Sequence, residues 1–167
     1  MEIREILLSE FDTEMQKTRT LLERVPEGKP DYKPHQKSMP MGKLAAHVAR
    51  LPEFATYIIT LPGLEAGMGN QKPLAMESRQ QILEDFDHAI SEARAALAGS
   101  TDNQWHEKWH FTYKGRDISN QSRLLTYREM FLNHLIHHRA QLGVYLRLND
   151  VPLPATYGPS ADDTMGF

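Results

Sequence analysis

Four stretches of this chain repeat hydrophobic residues in steps of three and four, the spacing that lines one face of an α-helix. The first stretch runs from about Ile3 to Val25. Prolines and a glycine at positions 26, 28, 30 and 34 follow at once and predict that this helix ends there. The second stretch begins near Ser38, which can act as an N-cap, and continues to Ile59. Pro52 lies inside it, so we expect a kink or a break into two helices at that point.

Capping motifs bound the other two predicted helices. Ser78 opens a Ser-x-x-Gln capping box that predicts the start of the third helix, and Gly99 predicts its end. Thr126 opens a Thr-x-x-Glu box that predicts the start of the fourth helix. Asn149 is expected to close that helix in a left-handed conformation, because prolines at positions 152 and 154 prevent its continuation.

The connections between these helices are long and differ in character. Residues 62–73 are rich in proline and glycine and predict a loop. Between Gly99 and Leu125, aromatic residues alternate before a Lys114–Gly115 turn, which favours a small hairpin or an irregular excursion. The pattern therefore predicts an all-α fold, a four-helix bundle with a long irregular or hairpin-like excursion before the last helix. We expect one domain over residues 1–167.

Composition narrows the functional classes. The chain has 167 residues, of which 40% are hydrophobic and 25% charged, as in globular proteins. It has no cysteine, so disulfides, thiolate metal sites and a cysteine nucleophile are excluded. Its net charge of −3 gives no reason to expect nucleic acid. The longest uncharged apolar run, Phe54 to Leu64, is too short for a bilayer, and the N-terminus does not resemble a signal peptide. We expect a cytoplasmic protein without membrane attachment.

Three of the eight histidines fall in one five-residue stretch, 134–138, inside the predicted fourth helix. His134 and His138 are four apart and therefore lie on one helix face, one turn from each other. Two imidazoles at this spacing can bind one metal ion, and without a shared partner their desolvation would be costly. His137 lies between them, and a His134/His137 pair is the second alternative.

A catalytic metal site commonly has three protein ligands. His47 is the best third candidate, because it follows Leu44 by three residues and precedes Leu51 by four, on the core-facing side of the second helix. The remaining histidines are interpreted otherwise. His106 and His110 are four apart but lie in the non-helical segment, and two others are expected on the surface, namely His35 and His88.

The C-terminal third resembles the DinB family, also called DinB/YfiT-like metalloenzymes. The resemblance rests on the run NHLIHHRAQL at 133–142, on Tyr145-Leu146-Arg147, and on Val151-Pro152 followed by YGPSAD at 157–162. The segment MPMGKLAAH at 39–47 is similar to the family's second helix. The resemblance covers most of the chain. The longer string is specific, whereas two histidines four apart would be a weak signal alone.

This resemblance implies a four-helix bundle with up-down-down-up connectivity, which is usually a homodimer. It also implies a divalent metal, most often zinc or nickel, bound by residues that match His47, His134 and His138. Some members of the family use low-molecular-weight thiols such as mycothiol or bacillithiol. The predicted function is thus a metal-dependent enzyme with a small-molecule substrate, in the first place a thiol-dependent S-transferase. The alternatives are a metal-dependent hydrolase and a non-catalytic dimeric binding protein with a structural metal.

Three further features have competing interpretations. No carboxylate is predicted to serve as a base, because Glu53 follows His47 by six residues and should point to another face. Arg139 is expected to contact a bound anion or to form a salt bridge at the surface or at a dimer interface. The tail from Tyr157 to Asp162 is expected to order itself against the bundle or against a dimer partner.

Overall fold

Three helices of equal length form the largest part of the fold. The computed structural model describes residues 2–67 and 73–166. Helix α1 spans Ile3–Leu22, α2 spans Met41–Thr60 and α3 spans Arg79–Ala98. Helix α3 packs against both α1 and α2. Their buried faces carry the apolar residues that recur every three or four positions, and these residues form one contiguous core.

The boundaries of α2 and α3 test the capping predictions. Ser78 caps α3 as predicted, because its Oγ accepts a hydrogen bond from the Gln81 amide at 3.0 Å, and Gly99 follows the helix as its C-cap. The predicted start of α2 is wrong, because the helix begins at Met41 after Pro40 rather than at Ser38. Pro52 lies inside α2 without dividing it into two helices.

A small sheet occupies the connections that were expected to be irregular. Strand β1 is Gly63–Ala66, β2 is Lys108–Tyr113 and β3 is Arg116–Ser122, with the short helix α4 at Asp102–His106 before β2. Strand β1 pairs in parallel with β2, and β2 pairs antiparallel with β3. Lys114 and Gly115 join β2 to β3 with φ of 49° and 72°, as a two-residue type I′ turn requires. The hairpin is confirmed, and so is a helix-rich fold, but the chain is not purely α-helical.

The sheet is attached to the end of α2 through its aromatic residues. Trp109 and Phe111 point to the same side of β2, are both buried, and pack edge-on against Phe54 of α2. The Trp109 indole donates a hydrogen bond to the Leu61 carbonyl at 2.9 Å. Gly63 is required where β1 meets β2, because a Cβ there would lie 2.9 Å from the His110 carbonyl oxygen. This strand falls in the predicted loop 62–73, of which residues 68–72 lie outside the described residues.

The last helix combines three segments without interruption. Helix α5 spans Arg123–Thr126, a π-helical segment spans Tyr127–Asn133, and α6 spans His134–Arg147. Its predicted start at Thr126 is wrong, because Ser122 provides the cap through its Oγ, which accepts from the Leu125 amide at 3.3 Å. The residue in the left-handed conformation after its end is Asp150, with φ of 59°, rather than Asn149. Helix α6 packs against α2 and α1.

A buried ion pair ties the C-terminal tail to α1 and α6. Arg139 and Glu14 are 4% and 6% exposed, and Arg139 Nη2 lies 2.6 Å from Glu14 Oε2. The Tyr157 hydroxyl donates to Glu14 Oε2 at 2.7 Å and accepts from Arg139 Nη2 at 2.7 Å. Arg139 therefore forms a salt bridge, but the pair is buried within the chain and not at the surface or a dimer interface as predicted. The tail is ordered against the helices of its own chain.

No helix within residues 2–67 and 73–166 combines the length and the apolar character that a membrane span needs. The up-down-down-up order of the helices and the single domain stay predictions.

Candidate metal centre

Three histidines from two helices meet at one point. His47 lies in the second turn of α2, and His134 and His138 lie one turn apart at the start of α6. One ring nitrogen from each lies within 4.8 Å of the others. The Nε2 atoms of His47 and His134 are 3.3 Å apart. The structure thus brings together the three residues that spacing and resemblance had singled out.

Hydrogen bonds behind two of the rings determine which nitrogen faces this point. His134 Nδ1 lies 3.2 Å from the Met130 carbonyl oxygen, and His138 Nδ1 lies 2.8 Å from Gln141 Oε1. These oxygens can only accept, so both Nδ1 atoms carry the proton and both Nε2 atoms present a lone pair. His47 then donates its Nε2 proton to His134.

The surroundings keep all three imidazoles neutral. Burial lowers the pKa of His47 to about 4, and the neighbouring His138 and His134 add to this effect. Burial also lowers the pKa of His134 and of His138, and their hydrogen bonds to Met130 and Gln141 oppose it only in part. Neutral imidazole is the form that binds a metal ion.

The donor set fits a divalent transition metal. An ion bound at 2.0–2.1 Å by two imidazole nitrogens at a tetrahedral angle holds them roughly 3.3–3.4 Å apart. The separation of 3.3 Å between His47 and His134 matches that value. Nitrogen ligands suit zinc, nickel, copper and iron, and neutral imidazoles leave the charge of the ion uncompensated.

The other histidines do not join this cluster. His137 is exposed, and its ring packs against that of His138 with 4.9 Å between the centroids. The His134/His137 alternative is therefore not the arrangement that the structure assembles. His110 lies on β2, where it contacts Asp117 at 2.7 Å, so its spacing of four from His106 places them on different elements.

A cavity of about 510 Å³ opens on His47. It runs along α2 past Arg50, Glu53 and Tyr57, and β1 covers part of it. Its apolar walls are formed by Leu51, Phe54, Leu64, Ala66 and Leu74. Glu53, which was predicted to point to another face of α2 than His47, lines this cavity as well. Six residues separate them by about 9 Å along the helix axis, and the cavity is long enough to reach both.

Neighbouring side chains hold the Glu53 carboxylate in place. Arg50 donates to both of its oxygens, from Nε at 3.0 Å and from Nη2 at 3.2 Å. The Tyr57 hydroxyl lies 3.5 Å from Glu53 Oε2. Burial and the charge of Glu53 raise the pKa of Tyr57, which keeps this hydroxyl protonated. The cavity is thus lined by a carboxylate and a hydroxyl in addition to His47.

Comparison with known proteins gives the same fold. A model of the DinB family matches residues 3–165. A DinB-like protein from Bacillus cereus, solved at 2.01 Å, has a TM-score of 0.69 at 16% identity, covering 90% of this chain and 95% of its own. A DinB-like protein, YjoA, from Bacillus subtilis has a TM-score of 0.65 at 20% identity, covering 87% and 95%. At these identities the structures show a common fold alone. No curated protein matches the chain in sequence.

Proposed function

The chain belongs to the DinB family, and we propose that it is a divalent-metal-dependent enzyme whose ion is bound by His47, His134 and His138. The observation that carries the proposal is the convergence of three ring nitrogens within 4.8 Å beside a cavity large enough for a small molecule. Zinc and nickel are the proposed metals. A homodimer, a cytoplasmic location and a single domain over residues 1–167 are proposed with it.

The number of ligands favours catalysis over a structural role. Structural zinc sites use four protein ligands, whereas catalytic sites use three and leave one position for water or substrate. Among the described residues, no further histidine or carboxylate joins the three-histidine cluster. A non-catalytic binding protein with a structural metal is therefore the weaker alternative.

The residues of the cavity suggest how the site would work. A divalent ion held by three neutral imidazoles lowers the pKa of a water or thiol bound to it. Glu53, which Arg50 orients through two hydrogen bonds, is placed to accept a proton from a molecule in the cavity. The Tyr57 hydroxyl can donate a hydrogen bond to the same molecule, while Phe54 and Leu64 shield it from water.

Two reactions fit this arrangement. Transfer of a low-molecular-weight thiol is proposed first, because some members of the family perform it and because it needs no protein cysteine, which this chain lacks. Metal-dependent hydrolysis is the second candidate. It is favoured by the Glu53 carboxylate, which could accept a proton from an attacking water.

The first experiment is elemental analysis of protein purified without an affinity tag. We expect about one zinc or nickel ion per chain in the wild type, and its loss in His47→Ala and in His138→Ala. His137→Ala is the matched control and should retain the metal, because that ring lies outside the cluster. Folded wild type that neither contains nor takes up metal would refute the proposal.

Activity is then assayed with small thiols plus an electrophile, and separately with activated esters. We expect activity to disappear on treatment with a chelator and to return with zinc or nickel. Turnover that survives metal removal in either assay would exclude a metal-dependent role in that reaction.

A further inference from the structure

The hydrogen bonds behind the histidines identify a residue that positions the site. We propose that Gln141 holds His138 in the Nδ1–H tautomer, so that its Nε2 lone pair faces His47 and His134. Gln141 is thus a positioning residue. The consequence for metal affinity rests on the proposed function, whereas the tautomer is a property of the protein without metal.

The geometry of α6 supports this role. Gln141 follows His138 by three residues, so the two side chains are neighbours on one face of the helix. The distance from Gln141 Oε1 to His138 Nδ1 is 2.8 Å, at the short end of the range for hydrogen bonds between nitrogen and oxygen. Gln141 is exposed, so core packing does not hold its side chain in this position.

For His134, a backbone carbonyl of the π-helical segment plays the role that the Gln141 side chain plays for His138. In a regular α-helix the Met130 carbonyl would accept the amide of the residue four positions on, which is His134. Here the His134 amide donates to the Phe131 carbonyl instead. The ring of His134 contacts the Met130 oxygen at 3.2 Å. Such π-helical insertions are rare and frequently occur at functional sites.

Both histidines of α6 thus have an oxygen behind Nδ1, but the two oxygens come from different groups. The oxygen behind His134 belongs to the main chain and survives any side-chain substitution. The oxygen behind His138 belongs to Gln141 and can be removed alone. Partners of this kind raise the basicity of a ligand histidine, and their removal typically costs 10–100-fold in metal affinity.

The tautomer is tested first, on metal-free protein at pH 8, where all three imidazoles are neutral. The ring nitrogens of His138 are followed by ¹⁵N NMR in wild type, Gln141→Leu and Gln141→Glu. We expect protonated Nδ1 in wild type and in Gln141→Glu, which keeps an acceptor oxygen. We expect a mixture of both tautomers in Gln141→Leu. A protonated Nε2 in the wild type would overturn the proposal.

Affinity for zinc and for nickel is then measured by competition with a chelator. We expect Gln141→Leu to bind about 10–100-fold more weakly than the wild type, and Gln141→Glu to bind equally or more tightly. His137→Ala is the control and should match the wild type. Equal thermal stability of all variants would separate positioning from folding, and affinity of Gln141→Leu within about twofold of wild type would overturn the proposal.

The two proposals can fail separately. Wild type that binds neither metal refutes the proposed function, while the NMR experiment still decides the tautomer of His138. If the wild type and Gln141→Leu bind metal with equal affinity, the positioning role is refuted and the three-histidine site stands.

Discussion

The buried ion pair between Arg139 and Glu14 provides a strong test of what stabilises this fold. Arg139 donates to four acceptors, namely Glu14 Oε2 at 2.6 Å, the Glu14 carbonyl at 3.1 Å, Thr18 Oγ1 at 3.1 Å and the Tyr157 hydroxyl at 2.7 Å. Arg139→Met keeps much of the side-chain volume but leaves the Glu14 carboxylate buried without its cation. Removing one partner of such a pair costs about 3–5 kcal/mol.

The assay is equilibrium unfolding in urea at pH 7, followed by circular dichroism. Arg94→Met is the matched control, because Arg94 forms a similar two-bond pair with Asp12 at 2.8 Å but both side chains are about half exposed. We expect little change for that variant, since solvent screens exposed pairs. The double variant Glu14→Gln/Arg139→Met should be more stable than Arg139→Met alone, because no buried charge remains. Equal losses for the Arg139 and Arg94 variants would refute this reasoning.

Three other predictions concern pH, metal and the cavity. Burial acts to raise the pKa of Glu14, but hydrogen bonds from Tyr157 and Arg139 outweigh it and lower the pKa below 4.5. Its contribution to stability is therefore complete above pH 4.5 and is lost as the pH falls through the folded-state pKa, so thermal unfolding of Glu14→Gln should depend less on pH below 4.5. Zinc at about 100 times its dissociation constant should add roughly 2.7 kcal/mol to the stability of the wild type, and melting curves of His47→Ala should not respond. Glu53→Gln should lower kcat by about 10²–10⁴ with little change in KM and an unchanged metal content, and wild-type turnover in that variant would exclude Glu53 as the proton acceptor.

Local signals in the sequence predicted the elements that local interactions determine. Helix α3 was predicted closely because Ser78 and Gly99 act on the turn beside them. The same reasoning misplaced the start of the last helix, because Thr-x-x-Glu at 126 and the actual cap at Ser122 are both acceptable motifs. Pro52 does not break α2, which shows that packing against other helices outweighs the lost backbone bond.

Contacts between residues far apart in the sequence were harder to predict. Strand β1 pairs with β2, which lies more than forty residues later in the sequence. The four residues 63–66 alone carry no pattern that distinguishes a strand from a loop. Glu53 and His47 line one cavity that β1 helps to close, so this relation could not be predicted from α2 alone. Gln141, by contrast, left a readable signal, because a residue three positions after His138 on a helix is its neighbour.

The regular α-helix that begins at His134 brings two of the histidines onto one face. His134 is the first residue of α6, so the interval from His134 to His138 is regular α-helix and both rings face α2, where His47 lies. His137 falls on the exposed side of the same turn, although the sequence alone allowed it as the second ligand. The pair of ligands therefore follows from the four-residue spacing on α6, and the π-helical segment before it contributes the Met130 carbonyl that holds the His134 ring.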